Sequence, residues 1–175
     1  MVLKGEITGE RVYLRALHRE DVSDEYARWL NDPEVNKYLA TKSADKPSLI
    51  EYVNKKNEQS DALFLGIFLR QSSKHIGTIK LEPIDSVNYK AIIAIMVGDK
   101  QSWGKGYGGE AMKILMAYAQ KELNIRLIEL GVVGENTTAI AAYNKLGFVE
   151  VNREYKAVQY GEYLYDQVTM TLSLE

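Results

Sequence analysis

The segment that decides the fold is Gly98-Asp99-Lys100-Gln101-Ser102-Trp103-Gly104-Lys105-Gly106-Tyr107-Gly108-Gly109. It follows an apolar stretch, Tyr89–Val97, and precedes an amphipathic one, Glu110–Glu122. The four glycines from position 104 onward let the backbone adopt positive φ and approach a ligand closely. The start of the following helix adds free N–H groups and the positive end of a dipole. The segment therefore predicts a phosphate-binding loop, and a turn without a ligand is disfavoured because ordering so many glycines is costly.

Three phosphate-loop patterns compete for this segment. The Walker pattern needs Ser or Thr after Gly-Lys, but Gly106 follows Lys105 here, so the metal-binding hydroxyl is missing. The dinucleotide pattern GxGxxG is matched from Gly104 to Gly109, and Glu129 even stands at the expected distance. Against it, short polar turns join the preceding strands, which indicates antiparallel pairing rather than βαβ units. The third pattern, Gln/Arg-x-x-Gly-x-Gly/Ala, is present at positions 101–106.

The rest of the chain alternates between strand and helix patterns. A helix follows the N-cap signal at Asp21–Asp24 and ends at Asn31-Asp32-Pro33, and a second begins at Lys46-Pro47-Ser48 and runs to Gln59. A third and a fourth helix are predicted at Glu110–Glu122 and Thr137–Leu146. The predicted strands are Glu10–Leu17, Ala62–Arg70, His75–Leu81, Tyr89–Val97, Leu127–Val133, Phe148–Tyr155 and Glu162–Leu172. The order β-α-α-β-β-β-α-β-α-β-β predicts one mixed α/β domain over residues 1–175.

The composition excludes several classes of protein. The 175 residues are 46% hydrophobic and 26% charged, which is typical of a globular domain and not of a disordered chain. With no cysteine, a disulfide scaffold, a zinc-thiolate site and a cysteine nucleophile are excluded. His18 and His75 have no metal-ligand spacing, so no metal is expected. A net charge of −2 argues against nucleic acid as a partner. The most apolar run, Ala91–Gly98, is too short for a membrane span, and a cytoplasmic location is expected.

Four segments together resemble the GNAT superfamily of N-acetyltransferases, in particular the branch that contains the ribosomal-protein N-acetyltransferases. These segments are Gly9–Arg15, Trp29–Val35, Trp103–Gly108 and Asn136–Phe148. They stand in the expected order, and the resemblance extends over nearly the whole chain. The resemblance implies a central, mostly antiparallel sheet with one splayed parallel strand pair and flanking helices.

The resemblance also implies acetyl-CoA as the co-substrate and assigns residues to it. Backbone N–H groups of the loop would hold the pyrophosphate, the preceding strand would pair with the pantetheine arm, and the start of the last helix would lie beside it. The implied cofactor-binding residues are Ile95, Met96, Val97, Gln101, Gly104, Lys105, Gly106, Tyr107, Gly108, Gly109, Asn136 and Tyr143.

Tyr143 is the candidate general acid. An amine attacks the thioester carbonyl and a thiolate leaves. A phenol has an ordinary pKa of about 10 and a thiol one of about 8.5, so a positioned tyrosine can protonate the sulfur while staying neutral itself. Asn136 and Tyr143 lie on one helix face. The alternative is a core aromatic packed beside Phe148.

The sequence departs from the family pattern at the position of the general base. The resemblance places a glutamate where Ile92 stands and a glycine where Ala94 stands. Glu82, on the neighbouring predicted strand, is the first substitute for a catalytic base. An exposed carboxylate at a strand end is the competing interpretation, and a water chain to strand carbonyls is a third route.

The sequence is compatible with several acceptors. The resemblance places Trp29, Asn31, Tyr38 and Thr41 on the acceptor side, and their segment is similar to enzymes that acetylate nucleotide-linked amino sugars. The alternatives are the α-amine of a protein N-terminus, a polyamine if the pocket is acidic, and a non-catalytic CoA-binding module. A nicotinamide oxidoreductase is the remaining rival. The tyrosine-rich last hairpin could wall the pocket or support a homodimer, so monomer and homodimer both remain open.

Overall fold

A computed structural model describes residues 1–174 and shows a mixed α/β architecture. The helices are α1 (Asp24–Asn31), α2 (Lys46–Glu58), α3 (Tyr107–Leu123) and α4 (Thr137–Lys145). The strands are β1 (Glu6–Thr8), β2 (Val12–Ala16), β3 (Leu63–Leu69), β4 (His75–Asp85), β5 (Lys90–Val97), β6 (Leu127–Val133), β7 (Val149–Tyr160) and β8 (Tyr163–Ser173). Short 3₁₀ turns precede α1 and α3.

All eight strands form one sheet in the order β1-β2-β3-β4-β5-β6-β8-β7. Neighbouring strands are antiparallel except for β5 and β6, which run parallel. The parallel register covers only three residue pairs, from Lys90–Leu127 to Ile92–Glu129. Beyond these pairs the two strands separate, which is the splay predicted from the sequence.

A separate apolar core lies on each face of the sheet. On one face, α3 buries Met112 and Leu115 against strand residues such as Ile93, with Phe148 in the same cluster. On the other face, α1 and α2 bury a second cluster that joins Leu17, Val22, Tyr26, Trp29, Leu30, Leu49, Val53, Phe64 and Phe68. The hydrophobic effect holds the three layers of this arrangement together, because each helix can bury its apolar stripe only against the sheet.

Side-chain caps set where the first two helices begin. Ser23 Oγ accepts a hydrogen bond of 3.0 Å from the Tyr26 backbone N–H and starts α1. Asp45 accepts one of 2.8 Å from the Ser48 N–H, and the Ser48 hydroxyl reaches back to the Asp45 N–H. Such caps satisfy donors that the first helical turn leaves free. Both starts agree with the signals in the sequence.

Four elements differ from the prediction by three residues or more, and one of them is β4, which ends at Asp85 rather than Leu81. Strand β1 was not expected, because three residues are too few to display a period of two. Helix α3 begins at Tyr107 rather than Glu110, because Gly108 and Gly109 form its first turn instead of the loop. Strand β7 extends five residues past Tyr155 to Tyr160. Within residues 1–174, no helix has both the length and the apolarity that a membrane crossing requires.

Candidate active site

A gap opens in the sheet where β5 and β6 separate. From Ile93 to Val97, β5 pairs with β4 along one edge, while its other edge has no strand partner. Because the two strands are parallel, the segments that follow them emerge at the same end of this gap. The glycine loop and the start of α3 follow β5, and the start of α4 follows β6. Two helix N-termini and a free strand edge therefore meet at one place.

The loop between β5 and α3 is held in place at its base. The Trp103 indole N–H donates a hydrogen bond of 2.7 Å to the Val97 carbonyl, and Ser102 Oγ donates one of 2.6 Å to Asp99. Lys74 pairs with the same carboxylate at 3.1 Å. These contacts fix the direction in which the chain leaves β5.

Glycine is required at two positions of the loop itself. Gly104 has φ +72° and Gly106 has φ +80°, a region that other residues adopt only with strain. Gly108, in the first turn of α3, lets the helix lie close to β5, since an added Cβ would stand 3.3 Å from Val97 Cγ2. The first N–H groups of α3 have no partner within the helix. The loop and helix start thus form a concave, glycine-lined surface suited to an anion.

A clamp between Arg11 and Glu110 ties the start of α3 to the sheet. The Glu110 carboxylate accepts hydrogen bonds from the Arg11 backbone N–H at 2.7 Å and from Arg11 Nε at 2.8 Å. It also accepts one of 3.2 Å from the Val12 N–H, while Arg11 Nη1 donates to the Lys105 carbonyl at 2.9 Å. This clamp could not be predicted from the sequence, because nothing local connects two residues 99 positions apart.

We expect Glu110→Gln to lower the free energy of unfolding at pH 7 by about 2 kcal/mol, because several hydrogen bonds to a charged group are weakened. Burial alone raises the pKa of Glu110, but the hydrogen bonds from Arg11 and Val12 outweigh it and hold the pKa below its usual 4.5. The stabilisation is therefore present above about pH 4.5 and is lost as the pH falls through the folded-state pKa. Urea unfolding at pH 7 and pH 3.5 measures the difference.

The matched control for this prediction is Glu122→Gln at the other end of α3. Its carboxylate is 49% exposed and contacts only the neighbouring Lys121, at 3.5 Å. Such a pair contributes little. An equal loss of stability in both variants would show that Glu110 is not an anchor.

Helix α4 carries the two residues assigned to the far side of the gap. Asn136 caps the helix, and its Oδ1 accepts a hydrogen bond of 3.3 Å from the Ala139 N–H. Tyr143 packs against the α3-side core, with its ring centre 6.1 Å from that of Phe148. Burial raises the pKa of Tyr143 above its usual 10. The phenol is therefore neutral at physiological pH.

A cavity of about 480 Å³ lies under α1 and α2, on the sheet face opposite α3. Its floor consists of strand residues that include Thr78, Lys80 and the β5 segment Ala94–Met96. The same β5 segment forms the free edge of the gap. The cavity and the gap thus share a wall, which is the arrangement needed for a molecule in one to react with a molecule in the other.

The four residues predicted on the acceptor side have different positions. Thr41 lines the cavity. Tyr38 lies at the mouth of the gap, where its hydroxyl donates a hydrogen bond of 3.3 Å to the Glu135 carbonyl. Asn31 donates to the Ala27 and Ala44 carbonyls and so holds the loop that roofs the cavity. Trp29 does not line the cavity: it is 6% exposed and packs under Gly98, where an added Cβ would lie 2.2 Å from the indole.

The predicted base, Glu82, is held by two lysines. It is 17% exposed, and its oxygens contact Lys56 Nζ and, at 2.7 Å, Lys80 Nζ. Burial alone raises the pKa of Glu82, but the hydrogen bonds from the two lysines outweigh it and leave the pKa below its usual value. Glu82 is absent from the cavity lining, whereas Lys80 is present. This geometry favours the structural interpretation of Glu82 over the catalytic one.

His75 has an apolar rather than a catalytic environment. Its ring lies 4.9 Å from that of Phe68 and 5.1 Å from that of Trp29. Burial lowers its pKa to about 4, so the imidazole is neutral at physiological pH. Across residues 1–174, no three His, Asp or Glu side chains come together in a way that could hold a metal ion.

Comparisons with known proteins agree with this geometry. The chain is 33% identical over 143 residues, 79% of either chain, to a Bacillus licheniformis protein named "uncharacterized N-acetyltransferase p20". A Vibrio cholerae spermidine N-acetyltransferase, solved with CoA and spermine, superposes with a TM-score of 0.85 at 23% identity, over 94% of this chain and 96% of that one. A GNAT-family acetyltransferase from Bacillus anthracis has the same TM-score at 20% identity, over 97% and 98% of the two chains.

A family model matches most of the chain. The profile of the acetyltransferase (GNAT) domain covers residues 11–149, which includes the gap, the glycine loop and the start and body of α4. The chain therefore belongs to the GNAT family of N-acetyltransferases.

Proposed function

We propose that the protein transfers an acetyl group from acetyl-CoA to a primary amine, with the thioester in the gap between β5 and β6. The observation that carries this proposal is the strand register, which ends after Ile92–Glu129 and leaves the β5 edge free. An extended arm with amide groups can pair with that edge as an added strand would. The CoA-bound structural neighbour supports the same donor.

The residues at the end of the gap fit the charged part of acetyl-CoA. The pyrophosphate lies against the N–H groups of the loop from Gln101 to Gly106 and of Tyr107, Gly108 and Gly109 in the first turn of α3. Positive φ at Gly104 and Gly106 gives the loop a backbone conformation that can approach a ligand closely. The helix dipole adds a favourable positive potential. Ile95, Met96 and Val97 line the arm on one side, and Asn136 stands on the other.

The reaction forms a C–N bond and breaks a C–S bond. The neutral amine nitrogen attacks the thioester carbonyl carbon, and the thiolate leaves as the carbonyl re-forms. Tyr143 donates its phenolic proton to the sulfur, and the proton lost by the new amide nitrogen restores the phenol through solvent. The products are an acetamide and CoA thiol, so protons and charge balance. Only the proton that goes to the sulfur needs a positioned side chain, and Tyr143 supplies it.

The proton of the incoming amine is removed before attack, and solvent takes it. Glu82 is not retained as the base, since its two lysine partners lower its pKa and it does not reach the cavity. Ile92 and Ala94 supply no titratable group on β5. The water route therefore replaces a side-chain base in this proposal.

The first candidate acceptor is the amine of a nucleotide-linked amino sugar. The supporting observation is the segment from Trp29 to Thr41, whose resemblance to sugar-modifying members motivates this choice, and Thr41 does line the cavity. The α-amine of a protein N-terminus is the second candidate, since its ordinary pKa of about 8 leaves it partly neutral at physiological pH. The protein acts as a monomer or a homodimer.

The test is thiol release from acetyl-CoA in the presence of an acceptor panel. The panel contains a UDP-linked 4-amino sugar, peptides with free N-termini, spermidine and an aminoglycoside. Because the chain has no cysteine, every thiol detected comes from CoA. We expect acceptor-dependent release, fastest with the amino sugar. Failure to bind acetyl-CoA by calorimetry would contradict the proposal, and tight NADH binding in its place would favour the oxidoreductase alternative.

A further inference from the structure

The cavity under α1 and α2 is apolar over most of its wall. Its aliphatic and aromatic lining residues are Tyr26, Leu30, Leu39, Ala40, Ala44, Leu49, Tyr52, Phe64, Ile79, Ala94, Ile95 and Met96. Hydroxyl groups complete the wall at Thr41, Ser43, Ser48 and Thr78. Lys80 is the one charged residue among the described lining residues, and none of them carries a carboxylate.

The cluster of charged side chains next to this wall has one more positive than negative group. Lys80 and Lys56 both contact the single carboxylate of Glu82. Two ammonium groups therefore surround one carboxylate, and Lys80 is the member that reaches the cavity. Tyr26 on α1 and Tyr52 on α2 are the titratable groups that these two helices place in the described cavity lining. Burial raises the pKa of both, so both phenols are neutral. Among the described lining residues, none offers a negative charge to a second ammonium group.

We propose that the part of the acceptor that enters this cavity carries a single amine and no second positive charge, with its nitrogen toward Ala94–Met96. The inference rests on the proposed function, because it names the acceptor of that same reaction. A buried ammonium without a carboxylate partner is strongly unfavourable. A second ammonium beside Lys80 would add like-charge repulsion. The reacting amine avoids both costs, since it must be neutral in order to attack.

The same environment explains how the reaction proceeds without a side-chain base. Apolar walls and a nearby positive charge both favour the neutral form of a bound amine over its ammonium form. The cavity therefore selects the deprotonated amine from solution. The volume of about 480 Å³ is within the range of small-molecule sites and large enough for one compact body.

This acceptor class differs from that of a structural neighbour. The Vibrio cholerae enzyme is named for spermidine, a polyamine, and shares the fold at 23% identity. Within residues 1–174, the lining of the present cavity includes no acidic side chain that could pair with a polyamine. A common fold with a different lining is expected to give a different acceptor.

The test compares hexylamine with 1,6-diaminohexane, which have the same chain length and differ in the second charge. We expect kcat/KM for hexylamine to exceed that for 1,6-diaminohexane and for spermidine by about 10-fold or more, since an unpaired buried charge is costly. Thiol release with acetyl-CoA measures the rates. Calorimetry on the CoA-loaded protein measures amine binding independently of turnover.

Lys80→Gln provides the second measurement, with Lys113→Gln on the exposed face of α3 as the matched control. We expect Lys80→Gln to reduce the preference for hexylamine over 1,6-diaminohexane several-fold, while Lys113→Gln leaves it unchanged. A wild-type enzyme that prefers the diamine or spermidine would overturn the inference and leave acetyl transfer established. Hexylamine that binds the CoA-loaded protein no more tightly than 1,6-diaminohexane would also overturn it. Absence of acetyl-CoA binding would instead contradict the proposed function itself.

Discussion

Replacing Tyr143 with phenylalanine is expected to lower kcat about 100- to 10,000-fold, the range of a lost general acid. The thiolate would then leave without protonation, and only the hydroxyl is removed. The phenyl ring keeps its packing on Phe148, at a centre-to-centre distance of 6.1 Å. We therefore expect the dissociation constant of acetyl-CoA to change by no more than about twofold. Steady-state kinetics and calorimetry give the two values.

Tyr118→Phe is the matched control, because Tyr118 is a partly buried tyrosine on α3 that packs against the same core. It should retain wild-type kcat. Equal activity in the two variants would assign Tyr143 to packing alone. A wild-type protein that binds acetyl-CoA yet acetylates nothing would favour the non-catalytic binding module.

The pH profile gives an independent test of the same role. Because burial raises the pKa of Tyr143, the proton donor is lost only above its usual value of 10. Wild-type kcat should therefore stay flat on the basic side up to about pH 10. Tyr143→Phe should lack any such basic decline while remaining slow throughout.

The sequence predicted the parts of the fold that depend on local patterns. The apolar runs of β3 and β4, the N-cap signal that includes Ser23 and the helix start at Lys46-Pro47-Ser48 are local, and these elements were predicted within a few residues. The predicted start of α3 was wrong because Gly108 and Gly109 have poor helix propensity in isolation. In the folded chain, packing of Gly108 against β5 outweighs that propensity.

The candidate site shows the same division between local and tertiary information. The glycine loop could be found from the sequence, because the glycines that allow positive φ, Gly104 and Gly106, lie close together in the chain. The cavity could not, because β4, β5, α1 and α2 each contribute only a few of its residues. Glu82 shows the limit most clearly. Its strand position suggested a base, whereas its two lysine partners come from α2 and from the same strand.

The second large effect is expected from Gly104→Ala, which tests whether the loop holds the pyrophosphate. Gly104 has φ +72°, and an added Cβ would meet no atom within 4 Å, so the change introduces backbone strain without a clash. Alanine in this conformation costs about 1–2 kcal/mol, which the loop can relieve by moving. Movement would misalign N–H groups that bind a charged ligand. We expect kcat/KM for acetyl-CoA to fall about 10- to 100-fold.

Two controls separate this effect from a general loss of stability. Gly161, in the turn between β7 and β8, has φ +63° and also no neighbour within 4 Å of an added Cβ. Gly161→Ala should therefore lower stability by a similar amount and leave kcat/KM unchanged. S-acetylpantetheine, which lacks the pyrophosphate, should react equally well with wild type and Gly104→Ala. A parallel loss with both donors would place the defect in the thioester gap, because only the longer donor reaches the loop.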